Sequence, residues 1–218
     1  MAPNFLQKAI ISLANKFDGA RRLNEEAAIP YYELSTENIS NLKVLLNREQ
    51  LLQHLPHNGV VAEAGVYRGD FSEQILAITQ PAKLHLINNW GLTDMAGNEI
   101  DFVKQRFAGS IANNKVVLHN GTSVNMLAQF GDAYFDWVYL DTDHSYANTR
   151  AELELLALKV KQQGIIAGHD YTHSSYKSNL KYGVIEAVNE FCLHRRWEFL
   201  FLTFETYGHY SFAIRKIQ

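Results

Sequence analysis

The sequence predicts an α/β fold: about seven strands, mostly parallel, flanked by helices and closed by a C-terminal antiparallel hairpin. Three observations carry this expectation. From residue 59 onward, short apolar runs rich in β-branched residues ("GVVAEAG", "LHLIN", "KVVLHN", "DWVYLD", "GIIAGHD") alternate with segments of helical character such as "DFSEQILAI", "EIDFVKQRFA" and "NTRAELELLALKV". Such alternation is the pattern of parallel strands joined by right-handed helical crossovers. After the helical "YGVIEAVNEFCLHRR", the runs "WEFLFLTF" and "YSFAIRKI" are joined by "ETYGH", too short for a crossover, so they pair antiparallel. Finally, glycines and acids gather where the runs end, and ligands of open parallel sheets bind at the carboxyl ends of the strands.

Taken in order, residues 5–17 place Leu6, Ile10, Leu13 and Phe17 at helical spacing with Lys8 and Lys16 elsewhere, an amphipathic helix. Packing on its own domain, a lid over substrate and a homodimer contact are the roles open to it. "ARRLNEEAAIPYYELSTEN" is polar, is broken by Pro30 and reads as a connector. "NREQLLQHL" opens with Asn47 and has Gln50 three residues later, a variant of the capping box. The division expected is a helical extension over 1–57 and one ligand-binding domain over 58–218, since 218 residues suit a single substantial domain.

Composition narrows the class. With 47% apolar residues the chain is globular, and a formal charge of −3 gives no electrostatic reason to expect nucleic acid. The single cysteine, Cys192, excludes an intrachain disulfide and fits a reducing compartment. No apolar run approaches the roughly 20 residues that span a bilayer, and the first residues lack a basic start, long apolar block and cleavage site. The expectation is a cytoplasmic protein with a small-molecule partner and no membrane association.

Two segments carry the chemistry. In "VVAEAGVYRGDFSEQIL", Glu63 ends a strand, Gly65 and Gly69 form the turn, and Asp70 or Ser72 starts a helix. Glycines let backbone approach a ligand, and a carboxylate on a buried strand calls for a cationic ligand or a hydrogen-bond network. In "FDWVYLDTDHSYANTR", an apolar strand runs into Asp141, Asp143 and His144 before the pattern turns helical. Asp141, and His169 with Asp170 from "GIIAGHDY", end strands expected to be neighbours, so their side chains are placed to converge.

"VVAEAGVYRGDFS", "FDWVYLDTDHSY" and "QQGIIAGHDY" together resemble the motifs of class I S-adenosylmethionine-dependent methyltransferases, over roughly residues 59–171. The branch it most resembles is that of small-molecule O-methyltransferases related to macrolide-sugar O-methyltransferases, with a relative in cephalosporin biosynthesis. The resemblance implies a Rossmann-like sandwich and S-adenosylmethionine as cofactor. It implies that Glu63, Gly65, Tyr67, Gly69 and Ser72 hold the methionine part. Asn88 stands where the family usually has an acid for the ribose hydroxyls, a departure that removes a charged acceptor, with Trp90 after it. Asn120, Gly121 and Ser123 fall near the adenine, and Asp141 adjoins the cofactor. In metal-dependent relatives the positions of Asp141, His169 and Asp170 hold a divalent ion, Mg2+ or Mn2+, with the imidazole favouring the latter. Asp143 resembles the general base of the sugar enzymes, and His144 is its rival because imidazole accepts protons near pH 7. The polar loop "YTHSSYKSNLKYG" sets Tyr171, His173 and Tyr176 where an acceptor wall belongs.

The function expected is therefore metal-assisted O-methylation of a small-molecule or sugar hydroxyl. Three other readings compete: a cofactor-binding protein with little transfer, for which Asn88 is the hint; a hydroxylase-like or hydrolytic metal enzyme using His169, Asp170 and His173; and a non-enzymatic interaction module.

Overall fold

The computed structural model describes residues 29–93, 99–174 and 180–218; the helix expected over residues 5–17, and Tyr176, lie outside them. In chain order the elements are α1 (Thr36–Ile39), β1 (Lys43–Leu45), α2 (Arg48–His54), β2 (Val60–Ala64), α3 (Asp70–Thr79), β3 (Lys83–Asn88), α4 (Trp90–Thr93), α5 (Glu99–Arg106), α6 (Ala108–Ala112), β4 (Val116–Asn120), α7 (Ser123–Leu127), β5 (Phe135–Leu140), α8 (Tyr146–Lys159), β6 (Val160–Gly168), α9 (Val184–Arg195), β7 (Trp197–Thr203) and β8 (Phe212–Lys216).

The strands form one eight-stranded sheet in the order β1-β7-β8-β6-β5-β2-β3-β4. The C-terminal hairpin is present: β8 runs antiparallel to both β6 and β7, and every other pairing is parallel. The eighth strand, beyond the seven expected, is β1, which pairs parallel with β7 through Lys43↔Phe201 to Leu45↔Thr203. Three residues carry no readable periodicity, which is why this edge strand has no sequence signature.

Alternation along the strands sorts the core into two layers. Val61, Trp137, Tyr139 and Ala167 face Leu51 and Leu52 of α2 and Phe71 and Ile75 of α3. Ala62, Ala64, Val138, Leu140 and Ile166 face Leu153 and Leu156 of α8 and Val188, Phe191 and Cys192 of α9. Burial pushes the Cys192 thiol up, so it is a packed apolar group.

Helix starts follow local chemistry. The Asn47 side chain accepts from Gln50 N at 2.9 Å, and Gln50 Oε1 accepts from Leu46 N at 3.0 Å, the expected reciprocal cap shifted by one residue. Thr122 caps α7 by accepting from Asn125 N, and Ser123 is the first helical residue. Ser145 caps α8 in the same way through Asn148 N.

Topology locates the site. From β2 the chain moves outward to β3 and β4 on one side, while β5 and β6 lie on the other, so the order reverses between β2 and β5. A crevice opens at the carboxyl edge of such a reversal.

Candidate functional site

The crevice is present as a cleft of about 540 Å³ lined by the loops after β2, β3, β4 and β5. Its floor is the turn at Gly65, whose φ of 95° suits glycine and whose missing Cβ would lie 1.8 Å from Asp141 O. The close approach is locked by Asp141 N donating to Ala64 O at 2.7 Å and Gly65 N donating to Ile87 O at 2.9 Å. Of the residues singled out from sequence, Gly65, Tyr67, Asn88, Ser123, Asp141 and Asp143 line the cleft. Asn89, Glu99, Thr142 and Asn148 line it too and were not expected.

The other sequence candidates stand behind the cleft wall. Glu63 is buried on β2 and accepts a short hydrogen bond from the Ser72 hydroxyl of α3. Burial pushes its carboxyl up to about 8, and the nearby Asp141 charge adds to this while Ser72 and Arg48 oppose it. Gly69, at φ 82°, begins α3, and a Cβ there would meet Phe107 Cε2 at 2.7 Å, so its glycine serves helix packing. Trp90 is buried in the apolar layer that contains Val103 and Phe107. Asn120 is exposed at the end of β4, and a Cβ on Gly121 would strike Met126.

Carboxylates dominate the cleft. Glu99, Asp141 and Asp143 line it, and among the described residues no lysine or arginine does. Glu99, from the first turn of α5, supplies a carboxylate to the wall that carries Asn88; the sequence signal for it, an acid opening a helix, is too common to single out. Below the wall Glu152 is buried, and burial pushes it up to about 7 against hydrogen bonds that include those from Thr142 and Asn148.

A second constellation adjoins the first through Asp141. One ligand atom each from Asp141, His144 and Asp170 lie within 4.8 Å of one another. His144 Nε2 is 3.2 Å from Asp170 Oδ2 and 4.0 Å from Asp141 Oδ1. His169 Nδ1 stands between the same two acids, 3.5 Å from Asp170 Oδ2 and 3.7 Å from Asp141 Oδ2. His144 and Asp170 both adopt left-handed backbone, φ 61° and 58°, which turns their side chains back over the strand ends. His209, from the segment between β7 and β8, bonds Asp170 Oδ1 through its Nδ1. Burial works against charge at both His169 and Asp170, but their mutual attraction wins: with Asp141 it pushes His169 up to about 9, and with His144 and His209 it holds Asp170 down at about 2.

Asp143 is exposed and does not join this cluster. Its Oδ1 accepts from Ser145 N and Ser145 Oγ, each at 2.9 Å, an Asx turn that leads into α8. Tyr171 packs inward, its hydroxyl donating to Asn189 Oδ1 at 2.7 Å, and His173 lies 3.8 Å from Glu186 Oε1. Tyr182, unremarked in the sequence, packs its ring on His144 with centroids 4.6 Å apart.

Comparison with known proteins accords with this geometry. The tRNA methyltransferase TrmK of B. subtilis superposes with a TM-score of 0.57 at 13% identity, covering 80% of this chain and 67% of that one. The pyocyanin biosynthetic protein PhzM gives 0.59 at 12% identity, over 79% of this chain and 55% of that one. Geranyl diphosphate C-methyltransferase from Streptomyces coelicolor A3(2), solved in complex with Mg2+, geranyl diphosphate and S-adenosyl-L-homocysteine, gives 0.58 at 9% identity, over 78% and 80%. At such identities these likenesses establish the fold. A search of curated proteins returns no match. The family model described as "Methyltransferase domain" matches residues 62–171, half of the 218-residue chain and the stretch that builds both the cleft and most of the cluster. No helix among the described residues is long and apolar enough to cross a membrane. The chain belongs to the methyltransferase-domain family and is an S-adenosylmethionine-dependent methyltransferase.

Proposed function

We propose that the protein methylates a hydroxyl oxygen of a small molecule, a sugar hydroxyl included, with the help of a divalent ion. The observation that carries this is Asp141, whose carboxylate belongs both to the cleft wall and to the cluster with His144 and Asp170. An oxygen held at the cluster therefore lies next to whatever occupies the cleft.

S-adenosylmethionine supplies an electrophilic methyl group on a sulfonium when bound, and an acid-lined cleft with glycine at its floor fits that cation. A divalent ion supplies Lewis acidity that lowers the pKa of a bound hydroxyl. Two carboxylates and an imidazole make a mixed donor set that fits Mn2+ and admits Mg2+. Asp141 and Asp170 would hold the ion. Of His144 and His169, one completes the donor set and the other takes the hydroxyl proton. Asp170 orients His144 through the 3.2 Å contact. Asp143, its Oδ1 engaged by Ser145, holds the turn that leads into α8.

Calorimetry with S-adenosylhomocysteine and Mn2+, and mass spectrometry on a panel of hydroxylated acceptors, test this reading. Asp141→Asn is expected to weaken Mn2+ binding. Whichever of His144→Ala and His169→Ala retains Mn2+ while losing about 10²–10⁴-fold in turnover identifies the base. Methyl transfer to nitrogen or carbon acceptors alone, or unaltered Mn2+ binding by Asp141→Asn, would overturn it.

A further inference from the structure

Arg48 opens α2 with its guanidinium over the Phe71 ring, 4.5 Å from the centroid. Phe71 packs in turn on Tyr139 with centroids 4.4 Å apart, so the cation rests on a fixed aromatic shelf. The Arg48 backbone N–H donates to Glu205 Oε1 at 2.8 Å, which ties the start of the helix to the segment between β7 and β8. Its carboxylate neighbour is Asp141, and the Nη1 to Oδ2 separation of 3.9 Å is beyond hydrogen-bond reach. Among the described residues the guanidinium makes no hydrogen bond. A guanidinium offers five donors in a planar fork matched to carboxylate or phosphate. This one is held still, is 34% exposed, and stands at the residue shared by the cleft and the cluster.

We propose that Arg48 binds the carboxylate, or an equivalent small anion, of a molecule seated at the Asp141 cluster. The proposal rests on the methyl-transfer reading above and narrows its substrate to a hydroxy acid. Asp141, Asp170 and Glu205 would otherwise repel such a group, and Arg48 offsets them where it stands. Two molecules at this point carry a carboxylate: an acidic methyl acceptor and the amino-acid end of the cofactor. Asp141 lines the cleft and Arg48 does not, which favours the acceptor.

The test compares wild type, Arg48→Gln and Arg48→Lys, each shown folded by near-UV circular dichroism. One calorimetric arm uses S-adenosylhomocysteine and 5′-methylthioadenosine, which lacks the amino-acid end. The other, with S-adenosylhomocysteine saturating, uses 3,4-dihydroxybenzoate and 3,4-dihydroxybenzamide as probes. Arg48→Gln is expected to weaken the benzoate by about 10- to 100-fold, the range for a charge-assisted pair, and to leave the benzamide alone. Arg48→Lys should fall between, keeping the charge without the fork. Loss confined to S-adenosylhomocysteine, with methylthioadenosine unchanged, would assign the carboxylate to the cofactor. The proposal is overturned if Arg48→Gln alters none of the four ligands, or weakens acid and amide equally. Wild type that binds neither adenosyl compound would instead sink the methyl-transfer reading.

Discussion

Glu63 stands at the end of a central strand with its carboxyl almost wholly buried, bonded to Ser72 and shifted up to about 8 chiefly by that burial. Its folded-state pKa lies above the unfolded value, so the proton it retains contributes stability that is complete below about 4.5 and is lost as pH rises through about 8. Glu63→Gln keeps the shape and the partner but removes the titration. The variant should therefore gain on wild type between pH 6 and 9, by on the order of a few kcal/mol. Urea melts across that range read the difference directly, and a gap that stays constant with pH would show that the carboxyl ionises normally. The same environment bears on function: a cation entering the cleft favours ionised Glu63, so binding of S-adenosylmethionine is expected to release a proton at this residue.

Turns between elements decide what the strand ends can do, and the two glycines after β2 do different jobs. Gly65 lets backbone pass against Asp141 O, with no room for a Cβ, whereas a Cβ at Gly69 would press on the buried ring of Phe107, a side chain and not backbone. Gly65→Ala should fail to fold or lose the cofactor entirely, while Gly69→Ala should cost about 1–3 kcal/mol and spare most of the affinity for S-adenosylhomocysteine. Chemical melts paired with calorimetry separate the two, and equal losses of affinity would refute the distinction. The β2 turn and the "DTDH" segment were legible because strand, turn and charged residues follow one another within a few positions. The hairpin was legible for the same reason. Its insertion was not: β8 lies between β6 and β7, and that placement brings His209 to Asp170 across 39 positions of sequence. Arg48 meets Asp141 and Glu205 only through β1, α2 and the hairpin connector, and no local pattern encodes such meetings.

At the scale of the whole molecule, the described residues before 58 are joined to the rest by more than a linker. β1 extends the sheet beyond β7, and α2 with its C-cap buries Leu51, Leu52 and Leu55 to 2% exposure or less in the layer that holds Trp137, Tyr139 and Phe71. On these contacts, a division at 57/58 is expected to part the matched segment from the extension without separating two folding units. Fully burying one leucine is worth about 1.5–3 kcal/mol, and domains of this size are stable by only about 5–15 kcal/mol. Trimming the chain to residues 58–218 removes three such side chains, uncovers the apolar surface beneath them and deletes Arg48. The trimmed chain should keep its secondary structure by far-UV circular dichroism yet lose near-UV signal and bind 1-anilinonaphthalene-8-sulfonate, as loosely packed states do. Saturating S-adenosylhomocysteine should restore only part of the packing, because the ligand stabilises through the cleft while the lost leucines lie in the apolar layer and do not line it. A trimmed chain that melts cooperatively within a few degrees of the full one would show instead that residues 58–218 are a complete domain.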